Sequence, residues 1–265
     1  MTIRSVVCRV IFITLTSLSS ISTANASECK ELSATGNSEY PPYLWRENNN
    51  NRELQGAIDF IISEIGTRLN LTINLKHVGA WSRAQEEVKS GNIDMIAGAF
   101  YSTPRSQWMA YIDPPFVSTK SVVWQNKDKK FNYSDKQDLV GKLGATVIHN
   151  SFGQEFDEFL SDKLNIDSVA SLEQALMMLS FKRVDYVLYE KNPGIAYATQ
   201  LGLADNIEPL SPPVSSEGLY LTISHKSKCN TRALRDALAK VIQEMTDDGY
   251  MDKALKMGFA LRKND

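Results

Sequence analysis

Two stretches far apart in the chain share one pattern, and that repetition constrains the fold more than any other feature. Residues 86–99 read EEVKSGNIDMIAGA, and residues 177–190 read MMLSFKRVDYVLYE. Each is the end of a helix, a tight turn, a β-branched residue, an aspartate and a run of apolar strand-forming residues. A helix that feeds a buried strand is one step of an α/β unit, whose strands pair in parallel. A chain that takes the same step twice is expected to build two similar α/β lobes.

The surrounding periodicity agrees. Leu54, Ile58, Ile61, Ile65 and Leu69 recur at helical spacing and predict a helix over 55–69. Residues 71–78 alternate as a strand does, residues 81–89 read as a short helix closed by Gly91, and 93–98 as a buried strand. In the second half, 121–125 and 143–148 read as strands, and a helix is expected from Phe152 to Lys163 and another over 172–179. Residues 219–223 form a returning strand. Leu234, Leu238, Val241, Ile242 and Met245 mark a C-terminal helix, followed by a short one ending at Gly258. The expected fold is therefore α/β and two-lobed, with one lobe from 27–118 and 216–265 and the other from 119–215. The chain crosses between them near 117–120 and 213–218, and two crossovers make a hinge. Asp94 and Asp185, at the same place in the two repeats, read as structural.

The N-terminus reads as an export signal. Arg4 and Arg9 precede a short apolar run, VIFITLTSL, and a small-residue site at Ala24-Asn25-Ala26. The run is far shorter than the roughly 20 residues of a spanning helix. Residues 1–26 are expected to be removed, leaving a protein of the periplasm, expected to be monomeric. The net charge of −2 gives no basic excess for nucleic acid or a membrane surface. Beyond the signal stand two cysteines, Cys29 and Cys229, which in an oxidising compartment are a candidate disulfide. Two free thiols are the alternative.

Ordered motifs then carry a resemblance. Glu39-Tyr40-Pro41-Pro42-Tyr43, LQGAID from Leu54, Trp81, KSGNID from Lys89, Ser102-Thr103-Pro104-Arg105, IDPPF from Ile112 and DGYMDK from Asp248 follow one another along the chain. In this order and spacing the sequence resembles the family 3 extracellular solute-binding proteins, type II periplasmic receptors for polar amino acids that feed ABC importers. The resemblance implies a type II periplasmic binding fold with its ligand in the cleft between the lobes.

A free amino acid carries a carboxylate beside an ammonium, so its site needs a cation and an acid. Arg105 aligns with the family's carboxylate-binding arginine, and a guanidinium fork matches a carboxylate. Asn150 and Ser151 precede a predicted helix, whose free N–H groups welcome an anion. Asn150 is expected to take the turn's positive φ, and Ser151 reads equally as an N-cap. Glu190 stands where the family has an ammonium-binding aspartate, and Phe100 where it often has a hydroxyl. The Gly98 carbonyl is a further acceptor. Tyr40 and Trp81 align with aromatic walls for the ligand's side chain. With Ser102 and Ile148 these residues make up the ligand set that the resemblance implies.

Neither cofactor nor metal is expected: His77, His149 and His225 fall in separate segments, and no nucleophile motif appears. A dehydratase acting on arogenate or prephenate on the same fold, with Glu190 as its acid, is the enzymatic alternative. A sensor that signals to a membrane partner is another.

Overall fold

The computed structural model describes residues 29–46 and 53–263. The expected export signal, residues 1–26, lies outside them. The elements run β1 (Glu31–Thr35), β2 (Glu39–Tyr40), β3 (Leu44–Trp45), α1 (Ala57–Leu69), β4 (Thr72–Leu75), α2 (Trp81–Ser90), β5 (Met95–Ala99), α3 (Thr103–Ser106) and β6 (Met109–Asn126). There follow β7 (Leu143–Val147), α4 (Gln154–Lys163), β8 (Asn165–Val169), α5 (Leu172–Ser180), β9 (Tyr186–Glu190), α6 (Lys191–Gln200), β10 (Ile207–Pro209), β11 (Ser215–Ser224), α7 (Arg232–Asp247) and α8 (Tyr250–Lys263).

The strands line up as β4-β1-β5-β11-β6-β9-β7-β8, with β10 on the side of β6. At one end β1 pairs in parallel with β4 and β5, and at the other β7 pairs in parallel with β8 and β9. Both ends thus repeat the order second, first, third, as the duplicated sequence pattern requires. The two aspartates do the same work in each. Asp94 accepts from the N–H and hydroxyl of Ser33 and from the hydroxyl of Ser227, while Asp185 accepts from the Leu143 N–H and from Lys129. Each pins the start of a third strand to its first, Asp94 at the middle of β1 and Asp185 at the start of β7.

Between the two ends run β6 and β11, antiparallel to each other. Ile112 of β6 faces Leu221 beside β5, whereas residues 121–125 of β6 pair with β9. Pro114 and Pro115, which precede the strand expected over 121–125, lie inside β6. The register of β11 against β6 shifts opposite them, between Leu219 and Leu221. A residue without an N–H is tolerated at such an irregularity.

Several boundaries move for local reasons. Helix α1 starts at Ala57 because Gln55 is engaged in a two-way backbone pairing with Trp45 and Gly56 has φ 128°. Helix α4 starts at Gln154, after Gly153, so Phe152 lies in the core ahead of it. Helix α8 runs through Gly258 instead of ending there. A Cβ at this position would stand 2.5 Å from the Pro42 carbonyl and 2.8 Å from the Ala57 amide, so the glycine allows close packing on α1. Cys29 and Cys229 form the disulfide, which ties the segment before β1 to the segment before α7.

Candidate functional site

In open α/β sheets the crevice lies beyond the carboxyl ends of the parallel strands. Here those ends deliver Asn37 just past β1, Gly98 and Phe100 at the end of β5, Asn150 just past β7, and Glu190 as the last residue of β9. With Tyr40, Trp81, Ala99, Arg105 and Leu219 they line one narrow cavity. Gly98 has φ 104°, and a Cβ there would lie 2.9 Å from Ile58 and 3.2 Å from Leu219. A side chain at this position would close the floor.

Arg105, in the short helix α3, is 7% exposed. It donates to the Phe100 carbonyl at 3.2 Å and to the His149 carbonyl at 2.8 Å, and its guanidinium lies 5.5 Å from the Trp81 ring centre. It therefore joins the end of β5 to the loop after β7. Burial pulls its pKa down, opposed by the nearby Tyr111, Asp157 and Glu190. Gln85 donates to the same His149 carbonyl at 3.1 Å, and the Thr103 N–H donates to Gln154 at 2.9 Å.

Glu190 is 2% exposed. Burial pushes its carboxyl up to about 8, while its own backbone N–H, Arg105 and Asn150 pull the other way. The Asn150 amide approaches without completing a hydrogen bond, and Glu190 Oε2, Asn150 Nδ2 and Trp81 Nε1 are all buried without a partner. Buried polar atoms of a folded chain are nearly always paired, so three orphans around one cavity point to a polar occupant. Tyr40 is buried beside them, its hydroxyl 3.2 Å from that of Thr119.

The rest of the expected set divides. Ser102 and Ser151 line an adjoining, wider space that shares Arg105 and Asn150 with the first. Ile148 is half-buried and lines neither. The positive φ falls on His149 (60°), not on Asn150, and the N-cap of α4 is Gly153, not Ser151. Ser151 instead gives its hydroxyl hydrogen to Asp157, whose other oxygen accepts from the Phe152 N–H at 2.7 Å. Asn37 and Leu219 escaped the sequence reading. The first was legible as the residue just past a parallel strand; Leu219 faces the cavity only because β11 passes behind it.

No group of three metal-ligating side chains occurs among the described residues. Nor is any described helix long and apolar enough to cross a membrane.

The family model of bacterial extracellular solute-binding proteins, family 3, matches residues 32–259. No curated relative matches the sequence. Among solved structures, a mutant of ArgBP from T. maritima superposes with TM-score 0.72 at 20% identity, covering 87% of this chain and 96% of that one. An amino acid ABC transporter substrate-binding protein from Streptococcus pneumoniae, bound to L-arginine, gives 0.73 at 16% identity, covering 88% and 96%. A histidine kinase sensor domain with similarity to periplasmic binding proteins gives 0.72 at 18%, covering 85% and 94%. The shared fold is that of type II periplasmic binding proteins.

Proposed function

The chain belongs to the bacterial extracellular solute-binding proteins of family 3, and from that premise we propose that it captures a free amino acid between Arg105 and Glu190 and delivers it to an ABC-type importer. One observation carries the reading: a buried guanidinium and a buried carboxyl with an unpartnered oxygen line the same cavity. A ligand carboxylate meets the N–H groups of Arg105 that the two carbonyls do not take, since the guanidinium has five. The ligand ammonium meets Glu190 Oε2, with the orphan amide of Asn150 as a further donor to the carboxylate. Tyr40, Trp81 and Phe100 wall the side chain. Relatives of the same fold described as bound to arginine or as amino acid receptors support the ligand class.

The lobes are 27–118 with 216–265, and 119–215, and they close by bending within β6 and β11. The chain acts in the periplasm after loss of residues 1–26, as a monomer and without chemical change to its ligand. A sensor domain of the same fold favours a second reading, in which the closed form signals to a membrane partner instead of loading a permease.

A thermal-shift screen against the free amino acids tests the ligand class. One of them at 100 times its Kd should add about 2.7 kcal/mol of stability. No stabilisation by any amino acid at millimolar concentration would sink the proposal. Co-purification with a permease or with a kinase from solubilised membranes separates transport from sensing.

A further inference from the structure

We infer that Asp157 is a specificity-determining residue, a built-in anion that fills the amide end of α4 beside Arg105 and keeps multiply charged anions out of the ligand site. The inference rests on the ligand-site reading above. The N–H groups ahead of a helix welcome an anion, and the anion found there belongs to the chain itself. Asp157 Oδ2 accepts from the Ser151 hydroxyl and Oδ1 from the Phe152 N–H at 2.7 Å, while the Gly153 N–H leans on Ser151 Oγ at 3.4 Å. The Ser151 hydroxyl and the Phe152 and Gly153 N–H groups, which face an oxyanion arriving ahead of α4, are therefore engaged.

Asp157 lines the same space as Arg105 and Asn150, and its charge acts on that of Arg105. Other acids crowd the same end. The Glu217 carboxylate lies directly against Gly153, where a Cβ would clash with it, and Glu155 stands in the first turn of α4. Across the space Glu86 and Lys89 supply one charge of each sign. A single ligand carboxylate still has the fork of Arg105. A second negative charge meets Asp157, whose charge and that of Glu217 act on each other, with no further buried cation among the lining residues, and such repulsion is what separates one partner from another.

The probe is sulfate, titrated into the full protein at constant ionic strength against chloride and read by the unfolding midpoint. Asp157→Ala frees the hydroxyl and the amide; Asp157→Asn keeps the shape and removes only the charge, and serves if the alanine variant does not fold. Wild type is expected to ignore sulfate. Both variants should bind it in the millimolar range, at least about tenfold more tightly than wild type, and should lose that response when Arg105→Ala is added. A wild type that responds as the variants do, or a response that survives Arg105→Ala, overturns the inference. L-glutamate and L-glutamine, matched in shape, give the second reading. Asp157→Asn should narrow the preference for glutamine about fivefold to tenfold, the effect of one charge several ångströms away at intermediate dielectric. Equal changes for both would mean a merely structural role and would also overturn it. If no amino acid binds any of these proteins but the sulfate result holds, the ligand reading fails and Asp157 as an anion filter stands.

Discussion

Binding of an amino acid should expel a proton from Glu190. The carboxyl is pushed up to about 8 by burial, so at pH 6 only about one molecule in a hundred carries the charge that an ammonium needs. Ionised Glu190 increases with pH, so affinity should rise about tenfold per pH unit from pH 5 towards 8 and level off above it. From pH 6 to 8 the gain is about fiftyfold, or about 2.3 kcal/mol. Stability of the free protein should move the opposite way. A carboxyl whose folded pKa is raised favours the folded state fully below its unfolded value near 4.5, and that contribution is lost as pH rises to about 8. Glu190→Gln should abolish both slopes. Calorimetric titration at pH 6 in two buffers of different ionisation enthalpy counts the proton directly. Release of one proton by wild type and none by Glu190→Gln is the expected result. Wild-type affinity that is flat from pH 5 to 8 would refute the pairing of Glu190 with an ammonium.

Arg105→Ala should weaken ligand binding by about 2–5 kcal/mol, thirtyfold to several-thousandfold, in the same titration. An unchanged Kd would mean that the carboxylate is held elsewhere. Reducing the Cys29–Cys229 bridge opens a loop spanning 200 residues of sequence, and denaturant unfolding should show a loss of about 4–5 kcal/mol. Gly258→Ala forces a Cβ against backbone at 2.5 Å, so it should cost about 1–3 kcal/mol of stability while leaving Kd within about twofold.

How much of this was legible depended on whether a position was fixed by local pattern or by distant packing. The repeat at 86–99 and 177–190 revealed the doubled α/β unit because helix, turn and strand are written in consecutive residues. The local pattern places Gly98 and Glu190 in strands, but their part in the ligand site, like that of Phe100, came from the family resemblance. Gly258 misled because a glycine near a helix end usually closes it; only the contact with Pro42 and Ala57, some two hundred positions away, shows why it sits inside α8. Phe152 misled because its apolar spacing with Phe156 and Phe159 mimics a helical face, although the chain turns at Gly153 first. Asp157 drew no reading from the sequence, and its hold on Ser151 and Phe152 depends on that same turn. The 18-residue β6 was read only in its last third because Pro114 and Pro115 argue against a strand until β11 is seen to shift its register beside them.

The sharpest measurement is calorimetric titration of the wild-type protein with the amino acid that stabilises it most, with its decarboxylated amine and with its deaminated acid. If Arg105 and Glu190 grip opposite ends of one zwitterion, at pH 8 the parent binds one to one and each analogue binds at least about thirtyfold more weakly, since the amine leaves the Arg105 charge without a partner and the acid leaves the Glu190 carboxyl without an ammonium. A deaminated acid that binds as tightly as its parent would show that Glu190 holds no ammonium, and a decarboxylated amine that does so would show the same for Arg105 and a carboxylate.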